Sequence, residues 1–298
     1  MNGILLVDKP SGMTSHDVVD RIRKAAQQRK VGHTGTLDPA ATGLLIICLG
    51  AATRLSEHLT GMDKEYAGTI KFGITTDSYD ADGTIQDESE VPAFSKDELI
   101  EYLTPYTGTI EQTPPMVSAV KVGGKRLYKL ARKGEVVERP SREVTVSRFE
   151  IQHWESPTAT FLMQCTTGTY VRSLCHDIGQ DIGCGAILSS LRRTAVGMHR
   201  VEDSTPLDDF QTPEDVESKL LSMGSVLNMP SVTVTPQGLR MVLSGNQINP
   251  NQLTEDAPDT PGLVQIKSRS GDLVALADLE HKPSGTWIQP RKVFVQTN

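Results

Sequence analysis

Apolar positions along the first 230 residues form short runs separated by helical patterns. Residues 3–10 (GILLVDKP) predict a buried strand that ends in a turn, and residues 43–50 (GLLIICLG) predict a second buried strand. The alternation of apolar and polar residues over 66–73 predicts a half-buried strand. Thr14 and Asp17 have capping-box spacing, which predicts a helix after the first strand.

Short strands and helices continue toward residue 230. A capping box at Ser95 and Glu98 predicts a helix, and residues 143–151 and 159–166 predict two strands that lead to a further helix ending at Gly183. Many short strands interrupted by helices favour an α+β fold over a doubly wound parallel one.

A change of pattern at Met229-Pro230 predicts a domain boundary. Residues 1–229 would form the large domain, and residues 230–298 would form a small, mostly β domain. In the small domain, Thr235-Pro236 has the pattern of a helix start, and Ser270-Gly271 predicts a hairpin turn.

Composition excludes several functional classes. Apolar residues make up 37% of the 298 residues, and no apolar run approaches the roughly 20 residues of a membrane span. The first twelve residues lack a basic region followed by a cleavable apolar segment, so we expect a cytoplasmic protein without membrane contact. The four cysteines form no C-x-x-C pair, which argues against a zinc site and a disulfide scaffold.

A basic segment stands out in an acidic chain. Residues 121–148 carry nine basic and three acidic residues, whereas the whole chain has a net charge of −7. The pattern predicts a short strand, a turn at Gly123-Gly124 and a basic helix stopped near Gly134, which together form an excursion from the core. Such a segment is either a solvated helix face or an RNA contact, and its clustering in an acidic protein favours RNA.

The loop before the second buried strand is the strongest candidate for chemistry. Residues 30–43 (KVGHTGTLDPAATG) contain three glycines and one carboxylate, Asp38, which Pro39 restrains to an extended or turn conformation. The glycines match no phosphate-binding pattern. From spacing alone, a plain Asp-Pro turn is the better interpretation.

This loop belongs to a series of motifs that resembles a known family. The chain is similar to the bacterial tRNA pseudouridine-55 synthases of the TruB family over nearly all of residues 3–200. The resemblance is carried, in order, by GILLVDKPSGMTSHDVV, KVGHTGTLDPAATGLL, YAGTIKFGITTDSYDADG, PPMVSAVKVGGKRLYKLARKG and GTYVRSLCHDIGQDIGCGAILSSLRRTAVG. It implies the pseudouridine synthase fold, a mixed and largely antiparallel sheet flanked by helices, with a small, mostly β, PUA-like RNA-binding domain after it.

The resemblance also assigns roles to three residues of the first motifs. Asp38 would be the catalytic aspartate, His33 would fill space vacated in the RNA loop, and Tyr66 would stack on the target uracil. An enzyme that acts on a base must first remove it from its stack, and such side chains offset part of that cost. Without the resemblance, His33 would be interpreted as a core histidine and Tyr66 as an ordinary strand aromatic.

Four further residues match the family's other motifs. Arg172 would pair with Asp38 and favour its ionised form, and Tyr170, two positions earlier, would pack against the flipped nucleotide. Leu191 would form a hydrophobic wall, and Lys9 would support the site. From the residues alone, Arg172 could instead face solvent and Leu191 could be plain core.

The implied reaction is the isomerisation of uridine 55 in the T loop of transfer RNA, without metal or organic cofactor. Asp38 could attack the sugar, attack the base or abstract a ribose proton. We expect a monomer that needs no guide RNA, with an RNA-clamping insertion over about 112–145. Lys125, Arg126, Lys129 and Arg132 are the candidate RNA contacts in it, and Lys9 is a further candidate RNA contact outside it. The alternatives are a guide-RNA-dependent relative, an RNA-folding assistant and a hydrolase of sugar bonds.

Overall fold

The computed structural model describes residues 1–118, 120–127, 135, 137–283 and 285–294. The predicted basic helix before Gly134, including Lys129 and Arg132, lies outside the described residues. The side chains of Lys125 and Arg126 lie outside them as well.

A ten-stranded mixed sheet organises the first 206 residues. Eight strands run in the order β14-β1-β3-β12-β4-β11-β10-β7, with β2 paired to β3 and β13 paired to β12. Among the described strand pairs of this sheet, only β1–β14 and β12–β3 are parallel. These strands are β1 (Gly3–Lys9), β2 (Val31–Thr34), β3 (Thr42–Leu49), β4 (Lys64–Phe72), β7 (Gly108–Gln112), β10 (Arg142–Glu155), β11 (Thr158–Cys165), β12 (Ala186–Val196), β13 (His199–Arg200) and β14 (Thr205–Pro206).

Two small hairpins extend from this sheet. One is formed by β5 (Ile74–Thr76) and β6 (Ile85–Glu88), and the other by β8 (Lys121–Val122) and β9 (Lys125–Arg126). The first hairpin is joined by a loop over residues 77–84, in which the side chains of Asp77 and Asp80 accept hydrogen bonds from backbone N–H groups of the loop.

Among the described residues, five helices accompany the sheet and the segment after it, and a sixth belongs to the last domain. They are α1 (Ser15–Ala25), α2 (Ser56–Thr60), α3 (Lys96–Leu103), α4 (Val171–Ile182), α5 (Pro213–Ser218) and α6 (Pro236–Leu243). The predicted capping boxes of α1 and α3 are present, and Gly183 ends α4 at φ +88°, a conformation that favours glycine. Within the described residues, no helix is both long and apolar enough to cross a bilayer.

The hydrophobic core lies on both faces of the large sheet. On one face, α4 packs with the alternate buried residues of β4 and β11, and the strand register places α1, which packs against Leu5 and Val7 of β1, on that same face. The opposite face of β1 and β3 is covered by the cluster that contains Ile4, Leu6 and Leu44. Because β1 and β3 are covered on both faces, they are continuously apolar, which is why sequence patterning found them as buried strands. The predicted strand over 143–151 is longer in the structure, and β2 was missed.

The last sheet has the order β15-β16-β17-β18, formed by β15 (Ser231–Thr233), β16 (Gly262–Lys267), β17 (Leu273–Lys282) and β18 (Gly285–Val293). It has a core of its own with α6. A second cluster joins Leu273, Leu276 and Phe294 to Ile4 and Leu44 of the large sheet, so the two sheets share buried surface.

Candidate active site

The Asp38 loop, residues 35–41, connects β2 to β3 and is fixed by a buried cation. Lys9, at the end of β1, is fully buried, and its Nζ donates to the carbonyl oxygens of Pro10 (2.9 Å), Pro39 (3.1 Å) and Ala41 (2.6 Å). Burial lowers the pKa of Lys9 to about 8, and the nearby Asp38 carboxylate opposes that shift. Lys9 thus holds the backbone immediately after Asp38, and its complete burial argues against the predicted contact of Lys9 with RNA.

The start of α1 holds the other side of the loop. Ser15 accepts a hydrogen bond from the Leu37 N–H (2.8 Å) and donates to the Leu37 carbonyl (3.0 Å). The Gly12 N–H donates to the Pro39 carbonyl at 2.9 Å. Backbone groups on both sides of Asp38 are therefore paired, which restricts where its carboxylate can lie.

Arg193 of β12 is a third support, and sequence reasoning missed it. Its side chain is almost fully buried, with Nε donating to the Leu44 carbonyl (2.7 Å) and Nη2 to the Gly35 carbonyl (3.1 Å). The guanidinium also interacts with the Tyr66 hydroxyl. Burial lowers the pKa of Arg193, and the contact with Tyr66 opposes the shift. The adjacent Arg192 instead pairs with Asp8 through two hydrogen bonds, and no sequence pattern distinguishes the two arginines.

The carboxylate of Asp38 itself is only partly buried and faces Arg172. Its side chain is 42% exposed, and one carboxylate oxygen lies 3.4 Å from Nη2 of Arg172. Desolvation by the surrounding protein raises the pKa of the Asp38 carboxyl; Arg172 opposes this, while the carboxylates of Asp80 and Asp82 add to it. The Arg172 contact does favour the ionised form, as expected, but its effect is outweighed.

Arg172 lies in the first turn of α4 and does not face solvent, since its side chain is 5% exposed. Nη1 donates to the Asp80 carboxylate (3.1 Å) and the Ser78 carbonyl (3.3 Å), and Nη2 donates to the Val117 carbonyl (2.6 Å) as well as to Asp38. The guanidinium is therefore held in place by three acceptors besides Asp38.

Asp80 is the second residue that sequence reasoning missed, although it lies in the quoted motif YAGTIKFGITTDSYDADG. The Ser78 hydroxyl (2.5 Å) and the Asp82 N–H (3.2 Å) donate to one of its oxygens, and Arg172 donates to the other. An acidic cluster beside a glycine in a hairpin turn was the only signal, and turn chemistry alone accounts for such a cluster.

Tyr66 and Leu191 lie on neighbouring strands beneath this cluster. Tyr66 of β4 is buried, and Leu191 of β12, opposite Gly68, packs against the same core cluster. Burial raises the pKa of the Tyr66 hydroxyl, and the Asp38 carboxylate adds to that shift, so the two groups are close enough to interact. Tyr66 is therefore a neutral phenol at physiological pH.

Tyr170 is the residue that precedes α4, and its backbone is fixed by β7. Its N–H donates to Oε1 of Gln112 (2.7 Å), and its carbonyl accepts from Nε2 of Gln112 (2.9 Å). The guanidinium carbons of Arg142 and Arg172 lie 4.8 and 5.9 Å from the centre of its ring. Tyr170 precedes the helix in an extended conformation, whereas Arg172 is already helical.

His33 lies on β2 opposite Ile47 and is half-buried. Its Nδ1 is buried and has no hydrogen-bond partner among the described residues. Desolvation lowers the pKa of His33, and the positive charges of Arg193 and His16 act in the same direction. It is therefore not the satisfied core histidine that was the alternative interpretation.

The candidate RNA contacts of the basic segment are only partly described. Lys125 pairs through its backbone with Val122, and Arg126 pairs with Lys121, in the β8–β9 hairpin. The next residue, Leu127, is fully buried. Over the described residues, no group of three or more His, Cys, Asp or Glu side chains forms a metal-binding cluster.

Comparisons with known proteins match this chain to one family. The model described as "TruB family pseudouridylate synthase (N terminal domain)" matches residues 23–171, and that of the "tRNA pseudouridylate synthase B C-terminal domain" matches residues 172–225. The chain is 48% identical over 224 residues to a tRNA pseudouridine synthase B of Opitutus terrae (74% of this chain, 92% of that protein). It is 40% identical over 299 residues to one of Heliobacterium modesticaldum (99% and 96%).

Solved structures agree with the fold. An H/ACA RNP bound to a substrate RNA containing 2'-deoxyuridine contains a chain with 25% identity and a TM-score of 0.74, which covers 98% of this chain and 85% of its own. A Cbf5-Nop10-Gar1 complex contains one with 27% identity, the same TM-score and the same coverage. The chain belongs to the TruB family of pseudouridylate synthases.

Proposed function

We propose that this protein converts uridine 55 in the T loop of transfer RNA to pseudouridine, with the Asp38 carboxylate as the reacting group. Isomerisation of uridine follows from membership of the family, and the transfer RNA substrate is the one in the relatives' names. One observation supports the choice of Asp38 above all. It is a partly exposed carboxylate on a loop whose backbone is hydrogen-bonded on both sides. It lies 3.4 Å from the buried guanidinium of Arg172, which other groups already hold in place.

The reaction needs a positioned carboxylate. The N-glycosidic bond breaks, the uracil turns, and its C5 joins the ribose, so the reaction consumes neither an electron donor nor water. A carboxylate can act as a nucleophile or stabilise a cationic sugar centre. Three routes remain open for Asp38: attack on the sugar, attack on the base, and abstraction of a ribose proton.

The neighbouring side chains would each have one task. Arg172 would orient the Asp38 carboxylate, Tyr66 and Leu191 would hold the extruded uracil, and Tyr170 would pack against the flipped nucleotide. His33 would occupy the space that the base leaves in the RNA loop. Tyr66 could also assist removal of the C5 proton, although burial raises the pKa of its hydroxyl and so disfavours it as a base.

Transfer RNA would bind through its T arm, since sequence-specific RNA recognition targets loops whose bases can be splayed out. The basic segment 121–148 would clamp this arm through phosphate contacts that weaken with salt, with Lys125, Arg126, Lys129 and Arg132 as the candidate residues. The last domain, residues 230–298, would add RNA contacts. We expect a monomer acting in the cytoplasm without guide RNA, metal or cofactor.

The test is to incubate the purified chain with unmodified transfer RNA, and separately with a bare T-arm hairpin, and to map pseudouridine at single-nucleotide resolution. We expect one modified position, uridine 55, in both RNAs. A requirement for added guide RNA would overturn the proposal in favour of the ribonucleoprotein type of enzyme represented by the structural neighbours. Released uracil would instead indicate a hydrolase.

A further inference from the structure

Two aromatic rings join the hairpin that carries Asp80 to helix α4. The rings of Tyr79 and His176 are stacked, with centroids 3.8 Å apart and planes 14° apart. Tyr79 directly precedes Asp80, and His176 follows Arg172 by four residues on the same face of α4. Tyr79 and Asp80, which are consecutive in the loop, therefore contact His176 and Arg172, which lie one turn apart on α4.

Tyr79 has an unusual backbone conformation that fixes the direction of Asp80. Its φ is +66°, in the left-handed region that a bulky side chain rarely adopts. Two hydrogen bonds to β12 hold the backbone there: the Leu188 N–H donates to the Tyr79 carbonyl (3.0 Å), and the Ala81 N–H donates to the Leu188 carbonyl (3.2 Å). A residue persists in such a strained conformation only where the contacts around it hold it there.

The His176 ring contributes its face to this contact. Its Nδ1 is buried and has no hydrogen-bond partner within the described part of the chain. Burial also lowers the pKa of His176, which favours the neutral imidazole. A neutral ring stacked in parallel on a phenol restrains where Tyr79 can lie.

We propose that the Tyr79–His176 stack is a positioning element that sets the Asp80 carboxylate against Arg172 and, through that guanidinium, orients Asp38. The Ser78 and Asp82 bonds fix one oxygen of Asp80, and the stack fixes the backbone from which the carboxylate projects. This inference rests on the proposed function, since the quantity it controls is the rate of pseudouridine formation.

Matched variants separate the effect of the aromatic ring from the effect of the backbone conformation. Tyr79→Asn removes the ring and retains a residue that tolerates a positive φ, whereas Tyr79→Phe keeps the stack. His176→Leu removes the aromatic ring on the helix side, whereas His176→Phe keeps an aromatic ring there. We expect Tyr79→Asn and His176→Leu to lower the single-turnover rate at saturating transfer RNA by roughly 10- to 100-fold, without a change in RNA affinity. Both phenylalanine variants should keep most of the rate.

A double-mutant cycle with Asp80→Asn tests the route of the effect. If the stack acts by placing Asp80, Tyr79→Asn should cost little further rate in the Asp80→Asn background. An equal loss in both backgrounds, or a loss in RNA affinity with an unchanged single-turnover rate, would overturn the inference. If the unaltered chain forms no pseudouridine, the proposed function fails instead. Thermal melts of each variant identify any that fail to fold, and the His176 pair then replaces the Tyr79 pair.

Discussion

Asp38 and Asp80 face the same guanidinium but are held in opposite ways. The Asp80 side chain is 14% exposed, and a hydroxyl, a backbone N–H and Arg172 donate to its oxygens. The Asp38 side chain is 42% exposed, and among the described residues its one hydrogen-bonding contact is with Arg172, at 3.4 Å. A fully satisfied carboxylate can hold a cation in place, whereas a carboxylate with free lone pairs can react.

The two loops also obtain their rigidity differently. The Asp38 loop is held from outside, by Lys9, Ser15 and Arg193, which bond to its backbone and leave the carboxylate free. The Asp80 loop has two hydrogen bonds to Leu188 of β12, and it is also held from inside, because the Ser78 hydroxyl and the Asp82 N–H bond to the Asp80 carboxylate itself. Support through the backbone leaves the Asp38 carboxylate with Arg172 as its partner, whereas the bonds within the other loop occupy lone pairs of Asp80.

The largest expected effect comes from removing the charge of Asp38. Asp38→Asn should lower the single-turnover rate below detection, by about 10⁴-fold or more, while transfer RNA affinity is retained. The free energy of unfolding should not fall at neutral pH, because the raised pKa of the Asp38 carboxyl means that folding disfavours its ionised form. Pseudouridine formation by the purified variant would contradict the assignment of Asp38 as the reacting group. A large loss of stability would contradict the contrast between Asp38 and Asp80, in which only Asp80 holds Arg172 in place.

The same change at Asp80 should lower the stability more, and the reaction rate less, than it does at Asp38. Asp80→Asn leaves the buried Arg172 without its closest carboxylate, so we expect the free energy of unfolding to fall by about 3 kcal/mol. The single-turnover rate should fall by roughly 100-fold, because the guanidinium that orients Asp38 is displaced. Urea denaturation and rapid-quench measurements on the two variants side by side check this. Equal stability of the two variants would show that Asp80 does not hold Arg172.

The sequence predicted Asp38 and, through the resemblance, Lys9 and Arg172, but not Arg193 or Asp80. The apolar run of β3 drew attention to the loop, and the resemblance assigned the carboxylate, because both are local patterns. Periodicity alone gives no reason for a lysine at the end of a buried strand, and two of the three acceptors of Lys9 are about 30 residues away. Asp80 meets Arg172 across 92 positions, and nothing in a turn motif encodes that contact. Tertiary contacts of polar groups, which create the site, leave no periodic signal.

The smallest expected effect is a shift in pH dependence caused by one exposed charge. The Asp82 carboxylate raises the pKa of the Asp38 carboxyl, since two like charges disfavour each other. Asp82→Asn removes that charge and keeps the backbone N–H that donates to Asp80. If the reactive form of Asp38 is ionised, the rate falls as pH falls through its pKa. The acid limb of the single-turnover profile should therefore move to lower pH.

The matched control for this shift is Asp87→Asn, which removes an equal charge from strand β6 of the same hairpin, where the side chain is exposed. Its carboxylate does not contribute to the shift of Asp38, so the limb should stay in place. The effect of Asp82→Asn should shrink at high salt, because an exposed charge is screened within about 10 Å at 0.1 M ionic strength. A limb that moves to higher pH, or moves equally in both variants, would mean that the acid limb reports a group other than Asp38.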